Sequence, residues 1–197
     1  MEKVMLRKVV AITLPILIMI GLLMYLFSSF QTDAIPADFT AAREKAAAVS
    51  QNIIELTNET AKKIELVNQA EVKGNAQEIM SFINEARVSN ATAYQKAFEL
   101  SGALQQMAGS LTTVRNPRQQ AGYEAVALEL SLTSEFISYT DTLNNFLNAL
   151  INSFLEKNPS NQKVLENALK NVNDKIKLIN DLNKSFNGKM TIFDQTS

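Results

Sequence analysis

The chain begins with one long hydrophobic stretch and continues with polar-faced helical patterns. The stretch runs without a charge from Val9 to Phe27, VVAITLPILIMIGLLMYLF. At the helical rise of about 1.5 Å per residue, its length is just under the roughly 30 Å hydrocarbon core of a bilayer. The sequence therefore predicts a transmembrane anchor at residues 9–30, with residues 9–27 inside the membrane.

The charges before this stretch predict its orientation. Lys3, Arg7 and Lys8 lie in a basic flank formed by residues 1–8. Because positively charged flanks stay in the cytoplasm, we expect the C-terminal part of the chain to be extracytoplasmic. The alternative is a cleaved signal peptide, whose apolar core of about 7 to 15 residues would be shorter than this run.

A linker, residues 31–37, separates the anchor from the first helix of a soluble region. Pro36 biases the residue before it away from helix, and Asp38 is predicted to cap the helix that follows. This helix is expected over residues 39–72, since apolar or small residues recur at spacings of three and four, as in a heptad seam. The seam consists of Phe39, Ala42, Ala46, Val49, Ile53, Leu56, Thr60, Ile64 and Val67.

A second helix is predicted over residues 76–114, with the same spacing in stricter form. Gly74 suits the left-handed position after the first helix, and Asn75 with Glu78 forms a capping box for the second. Gly102 and Gly109 fall on its outward side, where they either mark a kink or a close helix contact or occur by chance. The inward seam consists of Ala76, Ile79, Ile83, Ala86, Asn90, Ala93, Ala97, Leu100, Leu104, Met107, Leu111 and Val114.

A third helix is predicted over residues 117–157, with Asn116 as its N-cap. It has two apolar stripes, whereas one face of a bundle helix needs a single stripe. A broad buried face accounts for both stripes. The alternative is that the second stripe docks a partner chain through Phe136, Tyr139 and Phe146. The first stripe is Val126, Leu130, Ile137, Leu147, Ile151 and Phe154, and the second is Leu128, Leu132, Phe136, Tyr139, Leu143, Phe146 and Leu150.

Asn158 and Pro159 predict the start of a fourth helix over residues 160–187. Gly188 is expected to close this helix, which leaves residues 189–197 as a C-terminal tail. Its lysines complement the acidic third helix, and we expect the two helices to lie side by side. The inward positions are Leu165, Leu169, Val172, Ile176, Ile179 and Phe186.

Four helices joined by short loops run antiparallel to their neighbours. The predicted fold class is therefore all-α, with an N-terminal transmembrane helix followed by a long, coiled-coil-like, up-down-up-down four-helix bundle over residues 38–188. The alternative is a pair of helical hairpins that completes its bundle only by dimerising.

The composition excludes most enzyme chemistry. The chain has no His and no Cys, so it offers no Ser-His-Asp or Cys-His unit, no zinc signature and no Glu-x-x-His di-iron pair. A net charge of −1 provides no strong field for nucleic acid. We therefore expect a protein that is not an enzyme, with no catalytic residues, no metal, no cofactor and no nucleic-acid partner.

Polar residues interrupt the apolar seams at one predicted level of the bundle. Folding at the first loop sets Thr60 opposite Asn90, and folding at the second sets Asn90 near Thr140 and Asn144. A buried amide without partners costs about 1 to 3 kcal/mol, so these side chains should bond to one another or to a shared water. The layer either fixes helix register, as a core Asn does in coiled coils, or forms a small polar ligand site.

These features predict a single-pass membrane protein whose extracytoplasmic bundle serves as a protein-protein interaction or structural module of the cell envelope, with a protein partner or with itself. The alternative is a ligand-sensing bundle that signals through a partner. The architecture resembles the extracytoplasmic four-helix sensory domains of bacterial receptors, although no motif matches residue by residue. A polar cavity in the core would favour the sensor.

Overall fold

The computed structural model describes residues 36–113, 118–156 and 158–195, whose secondary structure is helical throughout. In this part of the chain four long helices pack as a bundle with no strands, which confirms the predicted all-α bundle. The predicted anchor at residues 9–30 lies outside the described residues, and none of the described helices is long and apolar enough to cross a membrane. The helices are α1 Ala37–Lys73, α2 Ala76–Ser110, α3 Arg118–Leu155 and α4 Pro159–Gln195, and a 3₁₀ turn at Leu111–Thr113 follows α2.

The junction of α1 and α2 is built from backbone bonds around a left-handed glycine. Gly74 has φ 70°, and its N–H donates to the Glu71 carbonyl at 3.0 Å, while Asn75 N–H donates to the Ala70 carbonyl at 3.1 Å. This is a Schellman motif. The Asn75 side chain accepts the N–H of Glu78 at 3.2 Å, as predicted. Because the Asn75 N–H is already bonded to α1, only this half of the predicted capping box forms.

The other helix starts follow the sequence in part. Asn158 Oδ1 accepts the N–H of Ser160 at 3.0 Å, and Pro159 is the first residue of α4, which confirms the Asn-Pro start. At α1 the N-cap is Pro36 and makes no side-chain bond, so Asp38 lies within the first turn and does not cap the helix. The predicted cap at Asn116 lies outside the described residues.

Helix α4 continues past the predicted end at Gly188 and reaches Gln195. Gly188 is exposed, with no heavy atom within 4 Å of the position of an added Cβ. Beyond it, Met190 and Phe193 are 2% and 0% exposed and extend the buried face that includes Phe186. Burial of these two side chains outweighs the roughly 1 kcal/mol that a helical glycine costs. The predicted tail is therefore helical up to Gln195.

Ion pairs between helices show how α3 and α4 run relative to each other. On α1 and α2, Lys63 pairs with Glu85. Between α3 and α4, Glu135 pairs with Lys175 at 2.8 Å, and Glu124 pairs with Lys189. Since the residue number falls on α3 as it rises on α4, these helices are antiparallel. The predicted side-by-side packing of the acidic and lysine-rich helices is confirmed.

One hydrophobic core runs through all four helices. Alanines are frequent on the buried sides of α1 and α2, whereas α3 and α4 contribute larger side chains. Phe39 at the start of α1 and Phe193 near the end of α4 have ring centroids 5.4 Å apart. The first and last helices of one chain therefore meet at this end of the bundle.

Candidate functional site

One hydrogen bond links two residues of the predicted polar layer, and it ends on a backbone carbonyl. Asn90 is 2% exposed, and its Nδ2 donates to the backbone carbonyl of Thr140 at 2.8 Å. This bond confirms the predicted alignment of α2 with α3. The hydroxyls of Thr60 and Thr140 instead donate to carbonyls of their own helices, Leu56 and Ile137. The Thr60 and Thr140 hydroxyls and one N–H of Asn90 are therefore bonded without a ligand.

Asn144, the fourth predicted member of this layer, is only partly buried. The two core cavities described below are lined by none of the four layer residues. Whether the layer sets register or binds a ligand stays a prediction, and the Asn90–Thr140 bond favours register because it joins one hairpin to the other.

The predicted docking residues lie in the core. Phe136 and Tyr139 are each 3% exposed and Phe146 is 0% exposed. The Phe136 and Tyr139 rings contact each other with centroids 5.7 Å apart, and burial raises the pKa of the Tyr139 hydroxyl. The proposed docking face on α3 is therefore wrong, because these side chains are covered by the other helices of the same chain.

A buried carboxyl lies on α3 within the apolar core. Glu129 is 6% exposed, and burial raises its pKa to about 7 from the ordinary value of 4.5. No hydrogen bond or ion pair joins its carboxyl to another residue in the described part of the chain. Ionised carboxylates are almost never buried without a partner, so this group is a candidate functional residue.

Two adjacent core cavities meet at Glu129. The larger has a volume of about 40 Å³ and receives residues from all four helices, including Ser50, Ala97, Thr133 and Asn183. The smaller has a volume of about 20 Å³. A site that holds one water molecule needs about 10 to 15 Å³, so the larger cavity has room for a few waters or a very small solute.

Four polar residues line the larger cavity in the described part of the chain: Ser50, Glu129, Thr133 and Asn183. Thr133 is 2% exposed, and its hydroxyl donates to the Glu129 backbone carbonyl at 2.8 Å, which leaves the Thr133 oxygen lone pairs free to accept. Ser50 is 4% exposed on the facing side of α1. The Glu129 carboxylate is therefore the ionisable group among these polar residues, and the two hydroxyls and the Asn183 amide are neutral.

Arg43 is the second charged residue buried in this region. It is 4% exposed and lines only the smaller cavity, and it has its own interaction partner. Ser50 lines both cavities and lies two helical turns further along α1. Arg43 therefore shares the smaller cavity with Glu129 and does not line the larger one.

The two-stripe interpretation of α3 overlooked Glu129, because it followed only apolar residues. In the structure the buried positions of α3 form a broad face, and one seam within it, at spacings of three and four, contains Glu129. That seam, extended backward from Leu143, would have placed the carboxyl in the core. The seam consists of Val126, Glu129, Thr133, Phe136, Thr140, Leu143, Leu147 and Leu150.

The outer side of α2 forms a second unusual feature. Val88 is 68% exposed and Phe98 is 54% exposed, and the Tyr94 ring meets the Phe98 ring edge-on with centroids 5.1 Å apart. Gly102 and Gly109 lie on the same side, and no heavy atom lies within 4 Å of the position of an added Cβ at either. No close helix contact within the described chain therefore accounts for these glycines.

Comparisons with protein families, curated proteins and solved structures found no match for this chain. Among the described residues, no group of three or more acidic side chains is placed to hold a metal ion. Functional inference therefore depends on the cavity at Glu129 and on the outer face of α2.

Proposed function

We propose that this protein is a single-pass membrane-anchored module of the cell envelope, whose extracytoplasmic bundle binds a helix of another envelope protein through the outer face of α2. The uncharged run from Val9 to Phe27 and the basic residues before it support the anchor and its orientation. The bundle lacks the His and Cys residues on which most catalytic units depend.

The observation that carries this proposal is the uncharged outer stripe of α2. Its members face away from the core at spacings of three and four. Between Val88 and Ser110 the only charged residues are Lys96 and Glu99, which pair with each other at 2.8 Å. A partner would therefore meet little unpaired charge to desolvate. The stripe consists of Val88, Ala91, Gln95, Phe98, Gly102, Gln105 and Gly109.

The residue types in this stripe suit a helix as the partner. A glycine inside a helix costs about 1 kcal/mol relative to alanine, and two of them here gain no contact within the described chain. Glycine allows another backbone to approach closely, and exposed aromatic residues are enriched at the centre of interfaces. Phe98 and Tyr94 would then anchor a helix that packs over Gly102 and Gly109.

A cross-linking experiment can test this proposal, since the chain has no native cysteine. Gly102→Cys in the full-length protein would carry a photoactivatable maleimide in intact cells. The matched control is Ser185→Cys, an exposed position on α4. We expect one specific protein adduct from residue 102, no such adduct from residue 185, and a yield at least fivefold lower when Phe98→Asp is added.

Two results would contradict this form of the proposal. Equal adducts from residues 102 and 185 would show contact without a specific face. An adduct made only of two copies of this chain would show that the α2 stripe is a self-association surface.

Ligand sensing is a second candidate function. The specific observation that favours it is the core cavity beside the unpartnered carboxyl of Glu129. A ligand bound there would contact all four helices, so its binding could change how the bundle meets its partner.

A further inference from the structure

We propose that the cavity beside Glu129 binds a short-chain primary ammonium ion, with the ammonium group on the Glu129 carboxylate and the alkyl group against the apolar wall. This inference names a ligand class for the second candidate function, ligand sensing. Only the biological role of the binding rests on that function. Binding itself needs no partner protein.

The polar groups that line the cavity suit an ammonium ion. An alkylammonium has three N–H donors and no acceptor, and the cavity offers the Glu129 carboxylate and the hydroxyl oxygens of Ser50 and Thr133. A divalent metal such as Ca²⁺ needs about 6 to 8 oxygen ligands, more than these residues supply. Because the ionisable group of this lining is a carboxylate and neutral acceptors lie around it, an organic cation fits the cavity.

The wall of the cavity is mostly apolar. Ile53, Leu100 and Phe136 line it and are at most 6% exposed, so a short alkyl chain would be removed from water there. The Phe136 and Phe186 rings also line the cavity and can stabilise a cation further. The volume of about 40 Å³ restricts the ligand to a few heavy atoms.

The larger cavity has a short path to solvent, and Glu129 is the charged residue in its described lining. Leu132 and Asn183 line the cavity and are partly exposed, which gives a small solute a short path from solvent. None of the residues that α2 and α4 contribute to the two cavities is titratable. From α1 only Arg43 is charged, and it lines the smaller cavity. Glu129 is therefore the group whose ionisation controls binding in the larger cavity.

This ionisation predicts the pH dependence of binding. The Glu129 carboxyl has its pKa raised to about 7, so it is largely protonated in acid and largely ionised at pH 8. Since the ammonium binds the ionised form, its apparent Kd should weaken about tenfold for each pH unit below that pKa. Between pH 8 and about pH 9 the affinity should stay level, because the carboxyl is ionised and a primary ammonium, with a pKa of about 10.4 as in lysine, is still protonated.

The test is calorimetric titration of ethylammonium chloride into the full-length protein in detergent micelles. Phosphate buffer replaces amine buffers, and sodium chloride at the same ionic strength is the reference. We expect saturable binding at pH 8 that weakens about tenfold between pH 6.5 and pH 5.5. Binding should be lost in Glu129→Gln and retained in Asp141→Asn, a matched change at an exposed position of α3.

A second variant separates the cavity from the carboxyl. Ala97→Val keeps Glu129 but fills space on the α2 side of the cavity, where Ala97 is 0% exposed. It should weaken ethylammonium binding at least tenfold while the helical circular dichroism is unchanged. Unchanged affinity in either Glu129→Gln or Ala97→Val, or no binding beyond the sodium chloride reference at pH 8, would overturn the proposal. None of these results depends on whether the α2 stripe binds a partner.

Discussion

At the residue scale, Glu129 makes the stability of the bundle depend on pH. Its folded pKa of about 7 lies above the ordinary 4.5, so the folded state binds the proton more tightly than the unfolded state does. The contribution of Glu129 to the free energy of unfolding should therefore be highest below about pH 4.5. It should fall as the pH rises from there to about 7, and it should stay constant at higher pH. The total change is about 3 kcal/mol.

Glu129→Gln removes this dependence, because the amide does not titrate. We expect the variant to be more stable than the parent at pH 8 and to have a flatter pH profile. Urea unfolding at pH 5.5 and pH 8 measures the difference. Asp141→Asn is the control and should follow the parent. Parallel profiles for the parent and Glu129→Gln would show that the carboxyl is not buried in the folded protein.

Substitution by alanine should have opposite effects on the stability of the bundle at Gly102 and at Gly122. Gly102 is an exposed helical residue with open space around an added Cβ, so Gly102→Ala should raise the free energy of unfolding by about 1 kcal/mol. At Gly122 an added Cβ would lie 2.8 Å from Leu111 Cδ2 and 2.9 Å from Phe193 Cε2. Both neighbours are 0% exposed and cannot move freely.

Gly122→Ala should therefore destabilise the bundle by about 1 to 2 kcal/mol, since overpacking exceeds the gain in helix propensity. Thermal unfolding of the two variants measures both effects. A Gly102→Ala protein that is more stable than the parent would show that the bundle itself does not need this glycine. A fall in stability for Gly102→Ala would show that the glycine is required within the bundle itself.

At the element scale, the last two turns of α4 belong to the core. Phe193→Ala removes a fully buried ring that contacts Phe39, so we expect a loss of about 3 to 5 kcal/mol. The neighbouring Ile192 is 51% exposed, and Ile192→Ala should change stability by no more than about 0.5 kcal/mol. Chemical denaturation distinguishes them. Equal stability of both variants would mean that α4 contributes nothing beyond Gly188.

The bond between α2 and α3 can be tested in the same way. Asn90→Leu removes the donor to the Thr140 carbonyl and should cost about 1 to 3 kcal/mol. If the residue fixes register, light scattering should also show an altered oligomeric state or looser packing. Asn148→Leu, at an exposed position of α3, is the control. A variant that stays monomeric with the parent's stability would exclude the register role.

At the scale of the whole molecule, the topology is still a prediction. A cysteine at the exposed position Ser185 should react with a membrane-impermeant maleimide in intact cells, because we expect the bundle to be extracytoplasmic. The same reagent should give no further labelling after the cells are opened. Labelling only after the cells are opened would place the bundle in the cytoplasm and contradict the proposed orientation.

The sequence by itself determined the helical fold and most of the described helix junctions, because these depend on local chemistry. Heptad spacing, the left-handed Gly74 and the Asn158-Pro159 start all act within a few residues, and the structure agrees with them. Seam residues and loop positions also sufficed to align Asn90 with Thr140. Such signals are readable because backbone conformation and helix periodicity depend on near neighbours.

Only the tertiary structure decided which of several apolar faces is covered. It buried Phe136, Tyr139 and Phe146, and it extended α4 through Gly188 because Phe193 meets Phe39 across the bundle. It also placed the Glu129 carboxyl beside a cavity and left the α2 stripe exposed. These outcomes depend on which helices fill the space around each residue, and that space is set by the packing of residues far apart in the sequence.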